Sequence, residues 1–443
     1  MNNGHRRLSS TDRERVLLIN PPVYDTRLHW AQWQQPTRLL RLGSFLRRSG
    51  AEVRLIDSLY NPSQQLLKRK RVALLDIEGL LIPKWRFGRP TSVIASDLTA
   101  LKKAEWRPDK VYVECFTTFW WEGAAEVIQA VKRAFPNTRV VLLGAYPEYC
   151  PEHATKHTAA DEIRTAPWPE ISREPADLSL YSTPPSFAYL TLGHGTRSVD
   201  EILEEVTAAV AEDIGQFAFA DEAIAARHGD LYCTVLEELA ARSLNVKLFA
   251  LGNIGASDLA REPALARLMK AAGYAQIWLS DDRATPIRAT VDDQLVDDYE
   301  QAAERCHRAG YTQRTGVVVA SVCLGRRGED LEERARLATL AAHHIGSVIM
   351  WAYQPAPEEC PEVSLEEQNG KLFPLREASG YSYRDYLDVL GLAVVLNAKH
   401  RDKTFDFLGE GLIPCLFRES IGRRAWDPDP DVKGPILLPV RMR

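Results

Sequence analysis

The chain has 443 residues, long enough for two or three domains with their own cores and too long for a single small module. Apolar residues make up 45% and charged residues 26%, an ordinary globular composition that excludes a disordered or collagen-like chain. Lysine and arginine number 55 against 60 aspartate and glutamate, and a net charge of -5 argues against nucleic acid as a bulk partner.

Residues 1–14 are polar and are expected to form a flexible terminus. Val16-Leu17-Leu18-Ile19 then reads as a buried strand, stopped by Asn20-Pro21-Pro22 because proline cannot continue a ladder. Leu39, Leu40, Leu42, Phe45 and Leu46 recur at helical spacing up to Gly50, and Glu52–Ile56 reads as a second strand closed by Asp57. A connecting stretch follows, with the basic runs Lys68–Arg71 and Lys84–Pro90 read as solvated. Lys110–Cys115 is a third strand, Gly123–Phe135 a helix, and Val140–Leu143 a fourth strand ending at Gly144. Alternation of this kind predicts an α/β domain over 15–157, Rossmann-like, with a doubly wound parallel sheet.

Residues 158–185 are rich in Pro, Ser, Thr and Glu and read as a linker. A second alternating series follows. Its predicted strands are Phe187–Leu192, Gln216–Ala220, Val246–Leu251, Gln276–Ser280, Gly316–Val322 and Ser347–Tyr353. The predicted helices between them are Ser198–Asp213, Leu231–Ala241, Leu265–Ala272, Asp293–Ala309 and Asp330–Ala342. Six β-α steps over 186–356 are enough for a partial (β/α)6 TIM-like barrel. Residues 357–443, with a helix-like segment at Tyr383–Ala398, are expected to pack on it as a helical or irregular extension.

Seven cysteines, odd in number and scattered from Cys115 to Cys415, argue against a disulfide framework. No C-x-x-C or C-x-x-x-C pair exists to build a local metal or cluster loop. Apolar runs such as Val16–Ile19 fall far short of the ~20 residues of a membrane span, so a cytoplasmic protein without a membrane partner is expected.

Leu18-Ile19-Asn20-Pro21-Pro22, Leu55-Ile56-Asp57, the Gly144-x-Tyr-Pro-x-x-x-Pro-Glu-His stretch ending at His153, the Trp120-Trp121 pair and the Trp85-x-Phe-Gly turn together resemble strings of the cobalamin-binding radical S-adenosylmethionine proteins. The resemblance spans roughly Arg15–Phe373 and implies a B12-binding Rossmann-like domain followed by a radical-SAM-type partial barrel. One departure matters. Where the family has a C-x-x-x-C-x-x-C loop for an iron-sulfur cluster, this chain has Thr191-Leu192-Gly193-His194-Gly195-Thr196-Arg197-Ser198. A cluster is therefore not expected, and neither is conventional radical chemistry.

The resemblance implies cobalamin as cofactor, with S-adenosylmethionine a further candidate. A corrin needs flat apolar walls and scattered hydrogen-bond partners. The expected contacts are Pro22, Tyr24, Asp25, Trp30, Trp33, Thr117, Thr118, Trp120, Trp121, Gly144, Tyr146, Glu148 and Tyr149; the alternative is that the aromatics simply pack. Asp25-Thr26-Arg27-Leu28-His29 lacks the D-x-H-x-x-G spacing that would put an imidazole on cobalt. His194, Asp221 and Glu222 at predicted barrel strand ends are the catalytic candidates, and Asn253 and Ser280-Asp281-Asp282 share that position. Such carboxylates hold substrate amines or serve as helix N-caps. The expected function is cobalamin-dependent methyl or group transfer to a small-molecule substrate, a transferase without a cluster. The alternative is a non-catalytic cobalamin sensor, carrier or subunit with a protein partner.

Overall fold

A computed structural model describes residues 13–26, 35–60, 68–166, 168–281, 293–311 and 317–399. They divide into two units, one built mainly of residues up to 185, the other of 75–82 and the residues from 186 on.

The first unit carries β1 (Arg15–Asn20), β2 (Val23–Thr26), α1 (Thr37–Arg48), β3 (Glu52–Asp57), all but the adjoining ends of β4 (Arg69–Ile77) and β5 (Leu80–Phe87), α2 (Thr91–Lys103) and β6 (Lys110–Glu114). It continues with α3 (Trp121–Ala134), β7 (Arg139–Leu143), α4 (Ala145–Tyr149), α5 (Pro151–His157), β8 (Glu162–Ile163) and α6 (Pro169–Ser172). Five strands pair in parallel in the order β3-β1-β6-β7-β8. Val16–Ile19 and Val111–Val113 are buried because helices cover both faces, which is why these strands read as unbroken apolar runs.

Three differences from the sequence reading stand out. The 68–90 stretch, read as a connection, folds into the hairpin β4–β5, which with β2 makes a second sheet in the order β2-β5-β4. Its signal was Glu78-Gly79 between two apolar runs: both residues are left-handed, φ 53 and 79, as a tight hairpin turn requires. Helix α2 also falls where no element was expected. Finally, 158–185, read as a linker, supplies β8 on the edge of β7, and Trp168, Ile171 and Leu180 pack into the core under α1. Proline and serine around these apolar side chains masked their periodicity.

The second unit carries β9 (Phe187–Leu190), α7 (Val199–Ala211), β10 (Gln216–Phe219), α8 (Ile224–Arg242), β11 (Lys247–Gly255), α9 (Ala256–Arg261), α10 (Leu265–Ala271) and β12 (Tyr274–Ser280). Then come α11 (Asp293–Arg308), β13 (Val317–Leu324), α12 (Leu331–Ile345), β14 (Val348–Ala352), α13 (Arg376–Ser379) and α14 (Tyr383–Lys399). Its six strands are all parallel and each pairs with its neighbour in sequence, from β9 to β14. Local chemistry starts the helices. Ser198 and Glu201 form a capping box at α7, and Asp330 accepts from the Glu332 N–H at 2.8 Å to cap α12. The chain is thus an α/β protein with parallel sheets, and no described helix is long and apolar enough to cross a membrane.

Candidate functional site

Taken in sequence order, the strands of the first sheet run 2-1-3-4-5, so the direction of winding reverses between β1 and β6. Beyond the carboxyl end of β1 the chain turns through Pro21-Pro22 into β2, beyond that of β6 it runs into α3, and a cleft lies at these two ends. It is lined by Asn20, Pro21, Pro22, Val23, Gln35, Pro36, Leu59, Glu114, Cys115, Phe116 and Trp120, and is narrow, with about 10 Å³ of room, enough for about one water. Two glycines bring its walls together. A Cβ on Gly123 would lie 1.8 Å from the Pro22 carbonyl oxygen, and one on Gly144, at φ 108, 2.3 Å from that of Cys115. Neither backbone approach tolerates a side chain.

Glu114 is the lining residue that carries charge. It is 5% exposed, ends a strand buried on both faces, and accepts the Leu39 N–H in the first turn of α1. Arg38 Nε lies 3.8 Å from Oε1, while Arg38 Nη1 is fully engaged with Glu148 Oε1 at 2.6 Å. The other oxygen, Oε2, is buried and has no hydrogen-bond partner. Burial pushes the carboxyl up to about 7; Arg38 and the Leu39 N–H pull it down, and Glu148 and Asp57 push it further up. An unmet buried acceptor costs about 1–3 kcal/mol, so this oxygen is an open demand for a donor. Asp57 contrasts with it: Asn20 Nδ2, Tyr181 Oη and the Leu59 and Tyr60 N–H groups all donate to it.

The structure distributes the expected cofactor contacts over several places. Pro22 and Trp120 line the cleft, and Trp120 Nε1 donates to buried Asp25 at 3.1 Å. Thr117 and Thr118 lie in the same β6–α3 turn, and Thr117 Oγ1 is buried without a partner. Tyr24 is engaged elsewhere: its hydroxyl donates to Glu126 at 2.8 Å, in a group where Arg86 Nε and Nη2 also hold Glu126 at 2.8 and 2.7 Å. Gly144 serves backbone packing, and Glu148 is paired with Arg38. Tyr146 and Trp121 instead join His153 and His157. The Tyr146 hydroxyl is 2.7 Å from His153 Nδ1, and Trp121 meets both imidazoles edge-on. Tyr149 is 56% exposed on α4. Trp30, Trp33 and His29 lie outside the described residues. The lining residues missed from sequence are Gln35, Pro36, Leu59, Glu114, Cys115 and Phe116. For Glu114 the signal was a carboxylate closing the apolar run Val111-Tyr112-Val113, where a charge is costly.

In the second unit the polar strand-end side chains mostly tie one strand end to the next. Asp221 accepts from Thr191 Oγ1 at 2.9 Å and from the Leu192 N–H at 2.8 Å. Asn253 Nδ2 donates to the Phe219 carbonyl at 3.0 Å, and Ser280 Oγ to that of Ile254 at 3.2 Å. Wholly buried Asp281 meets Arg334 at 3.0 Å and Arg326 at 3.5 Å. Its burial outweighs the two arginines and raises its carboxyl above the usual range. Glu222 and His194 are exposed. His194 adopts φ 54 between Gly193 and Gly195 at φ 61 and 78, a left-handed turn held by Asp221 and by Arg197, whose guanidinium reaches the Thr191 carbonyl at 3.0 Å and Glu205 at 2.6 Å. Asp282 lies outside the described residues. Among the described residues, no three His, Cys, Asp or Glu side chains are grouped so as to hold a metal ion.

No family profile and no curated protein matches the chain. Among solved structures it resembles the radical S-adenosylmethionine methyltransferase TsrM from Kitasatospora setae, whose structure holds cobalamin and a [4Fe-4S] cluster. The TM-score is 0.51 at 15% identity, and the match covers 79% of each chain. At that identity the likeness shows a shared α/β fold. The catalytic domain of a hyperthermophilic chitinase from Pyrococcus furiosus matches at a TM-score of 0.20 and 12% identity, over 66% of this chain and 92% of that one, too low to argue from.

Proposed function

We propose that this chain binds a corrin, cobalamin or a close relative, at the carboxyl edge of its five-stranded sheet, and that its six-stranded unit is a partial (β/α)6 barrel of the radical-SAM type whose cluster loop is replaced by the turn 191–198. The observation that carries the reading is the cleft at the β1–β6 reversal, with an unmet acceptor on Glu114, in a chain whose fold is like that of TsrM over 79% of its length. The fit is chemical. A corrin is broad, apolar on its faces and edged with carboxamides. Pro21, Pro22, Val23, Phe116 and Trp120 offer apolar wall, and Glu114 Oε2 and Thr117 Oγ1 offer hydrogen-bonding groups without partners. The cleft's enclosed room is only about 10 Å³, enough for about one water, so a corrin edge enters only where these walls part.

A bound corrin supplies a cobalt centre able to accept and donate a methyl or other group. The residues of this chain would orient the ring through the Pro21-Pro22 turn and Trp120, and Asp25 fixes the Trp120 indole. Group transfer to a small-molecule substrate is the favoured activity, and exposed His194 and Glu222 are kept as candidate proton-handling groups. A second reading, a non-catalytic corrin carrier, is favoured by one observation: Asp221, the buried carboxylate of that trio, is consumed in holding the 191–197 turn. The test is to mix purified protein with hydroxocobalamin, remove free ligand, and record the visible spectrum together with iron and acid-labile sulfide. The expected result is one corrin per chain without stoichiometric iron. Absence of retained corrin would overturn the proposal.

A further inference from the structure

The outer strand of the β4–β5 hairpin is a sheet edge with a self-complementary sequence. In the order β2-β5-β4 it has no strand beyond it among the described residues, so half of its backbone N–H and C=O groups have no ladder to join. The two-residue turn Glu78-Gly79 fixes which half. Ile77 and Leu80 flank it as a hydrogen-bonded pair, so Ile77, Leu75, Ala73 and Arg71 turn their backbone groups toward β5. Lys70, Val72, Leu74 and Asp76 turn theirs outward, and the two-residue period of a strand puts their side chains on one face. Leu81, opposite Asp76 on β5, shares that face. Val72, Leu74 and Leu81 are 41%, 51% and 61% exposed, three of the six large hydrophobic side chains left open to solvent among the described residues. An open edge carrying apolar side chains is a template for another strand.

We propose that β4 pairs antiparallel with β4 of a second copy of this chain, in the register that sets Ala73 opposite Ala73, to give a two-fold dimer. Charge complementarity selects both the partner and the register. With the two-fold axis at Ala73, Lys70 faces Asp76 of the second copy and Val72 faces its Leu74. Each of these pairs joins two outward-turned residues, so the ladder hydrogen bonds close at the same time. An axis at Leu74 would set Val72 against Asp76, and one at Val72 would set Lys70 against Leu74, leaving a charge beside an apolar side chain in either case. Parallel pairing in register would lay the basic run Lys68–Arg71 on its own copy. The same charges that admit the closed dimer therefore oppose an open array of strands. Asp76 keeps one oxygen for Lys70 while its Oδ1 accepts the Gly79 N–H at 2.8 Å.

The test is sedimentation velocity of the full-length protein over a concentration series, with Leu74→Lys as the disrupting variant. Ala73→Cys and Lys70→Cys, both at exposed positions, report the register through intermolecular disulfides formed under mild oxidation, with wild type as the background. The wild type is expected to reach the mass of two chains by about 100 µM and to go no further. Leu74→Lys replaces a half-exposed surface side chain, so its circular dichroism and melting should match the wild type, while its dimer should be at least about tenfold weaker. In the proposed register two Ala73→Cys thiols stand directly opposite each other in a non-hydrogen-bonded pair, and two Lys70→Cys thiols stand about 20 Å apart. Ala73→Cys should therefore crosslink at least about tenfold faster. A single-chain mass at every concentration, assembly beyond the dimer, a Leu74→Lys dimer as tight as the wild type, or equal crosslinking of the two cysteine variants overturns the proposal.

Discussion

Glu114→Gln makes a stability prediction that needs no ligand. The wild-type carboxyl is 5% exposed and is pushed from an ordinary 4.5 to about 7, chiefly by burial. At about 1.4 kcal/mol for each tenfold change in proton affinity, that amounts to about 3 kcal/mol. The sign follows from linkage: between pH 4.5 and 7 the folded protein holds a proton that the unfolded chain has released, so stability falls as pH rises through that window. Glutamine cannot ionise and keeps the oxygen that accepts from Leu39, while Arg38 keeps Glu148. The wild type should therefore lose about 2.5 kcal/mol relative to Glu114→Gln between roughly pH 5 and pH 8. A chain of two units is not safely two-state, so the measurement is native-state hydrogen exchange of the β1 and β6 amides in both proteins, corrected for the intrinsic pH dependence of exchange. Parallel stability curves, or a wild type that gains on the variant as pH rises, would refute the argument that Glu114 is buried without adequate partners.

Asp281→Ala leaves Arg326 and Arg334 buried without their shared carboxylate and is expected to destabilise the second unit by about 3–5 kcal/mol, read in urea unfolding. Gly123→Ala places a methyl within the Pro22 carbonyl and should cost at least about 3 kcal/mol; wild-type protection of the β1 and β6 amides in the variant would contradict it. Asp221→Ala removes two hydrogen bonds from the 191–197 turn and should cost about 1–3 kcal/mol, with faster exchange at the Leu192 amide as its local signature and unchanged exchange in β1. If a corrin docks beside Trp120, retained ligand should quench tryptophan emission, and Trp120→Phe should remove a measurable part of that quenching; an unchanged response would place the ligand elsewhere.

Much of the chain's order was legible in its residues. Val16–Ile19, Val111–Val113 and Val140–Leu143 read as strands of a sheet covered on both faces, and the alternation after Phe187 named all six strands of the second unit, because hydrophobic periodicity is a local property. The hairpin β4–β5 was missed: its outer strand is solvent-exposed, so its pattern has no buried face to reveal it. Trp168 and Ile171 were hidden among prolines for the opposite reason, being buried by a core assembled from distant segments.

The candidate site divides in the same way. Sequence determined that no cysteine stands in the 191–198 loop, and that Pro21-Pro22 and Trp120 stand at the ends of strands. Only the tertiary structure decided that those ends are neighbours, that Tyr24 is taken by Glu126, that Asp221 is bound into a turn, and that Glu114 is buried with one oxygen unmet. Burial and hydrogen-bond satisfaction are sums over residues far apart in the chain, and a sequence lists those residues without saying which of them meet.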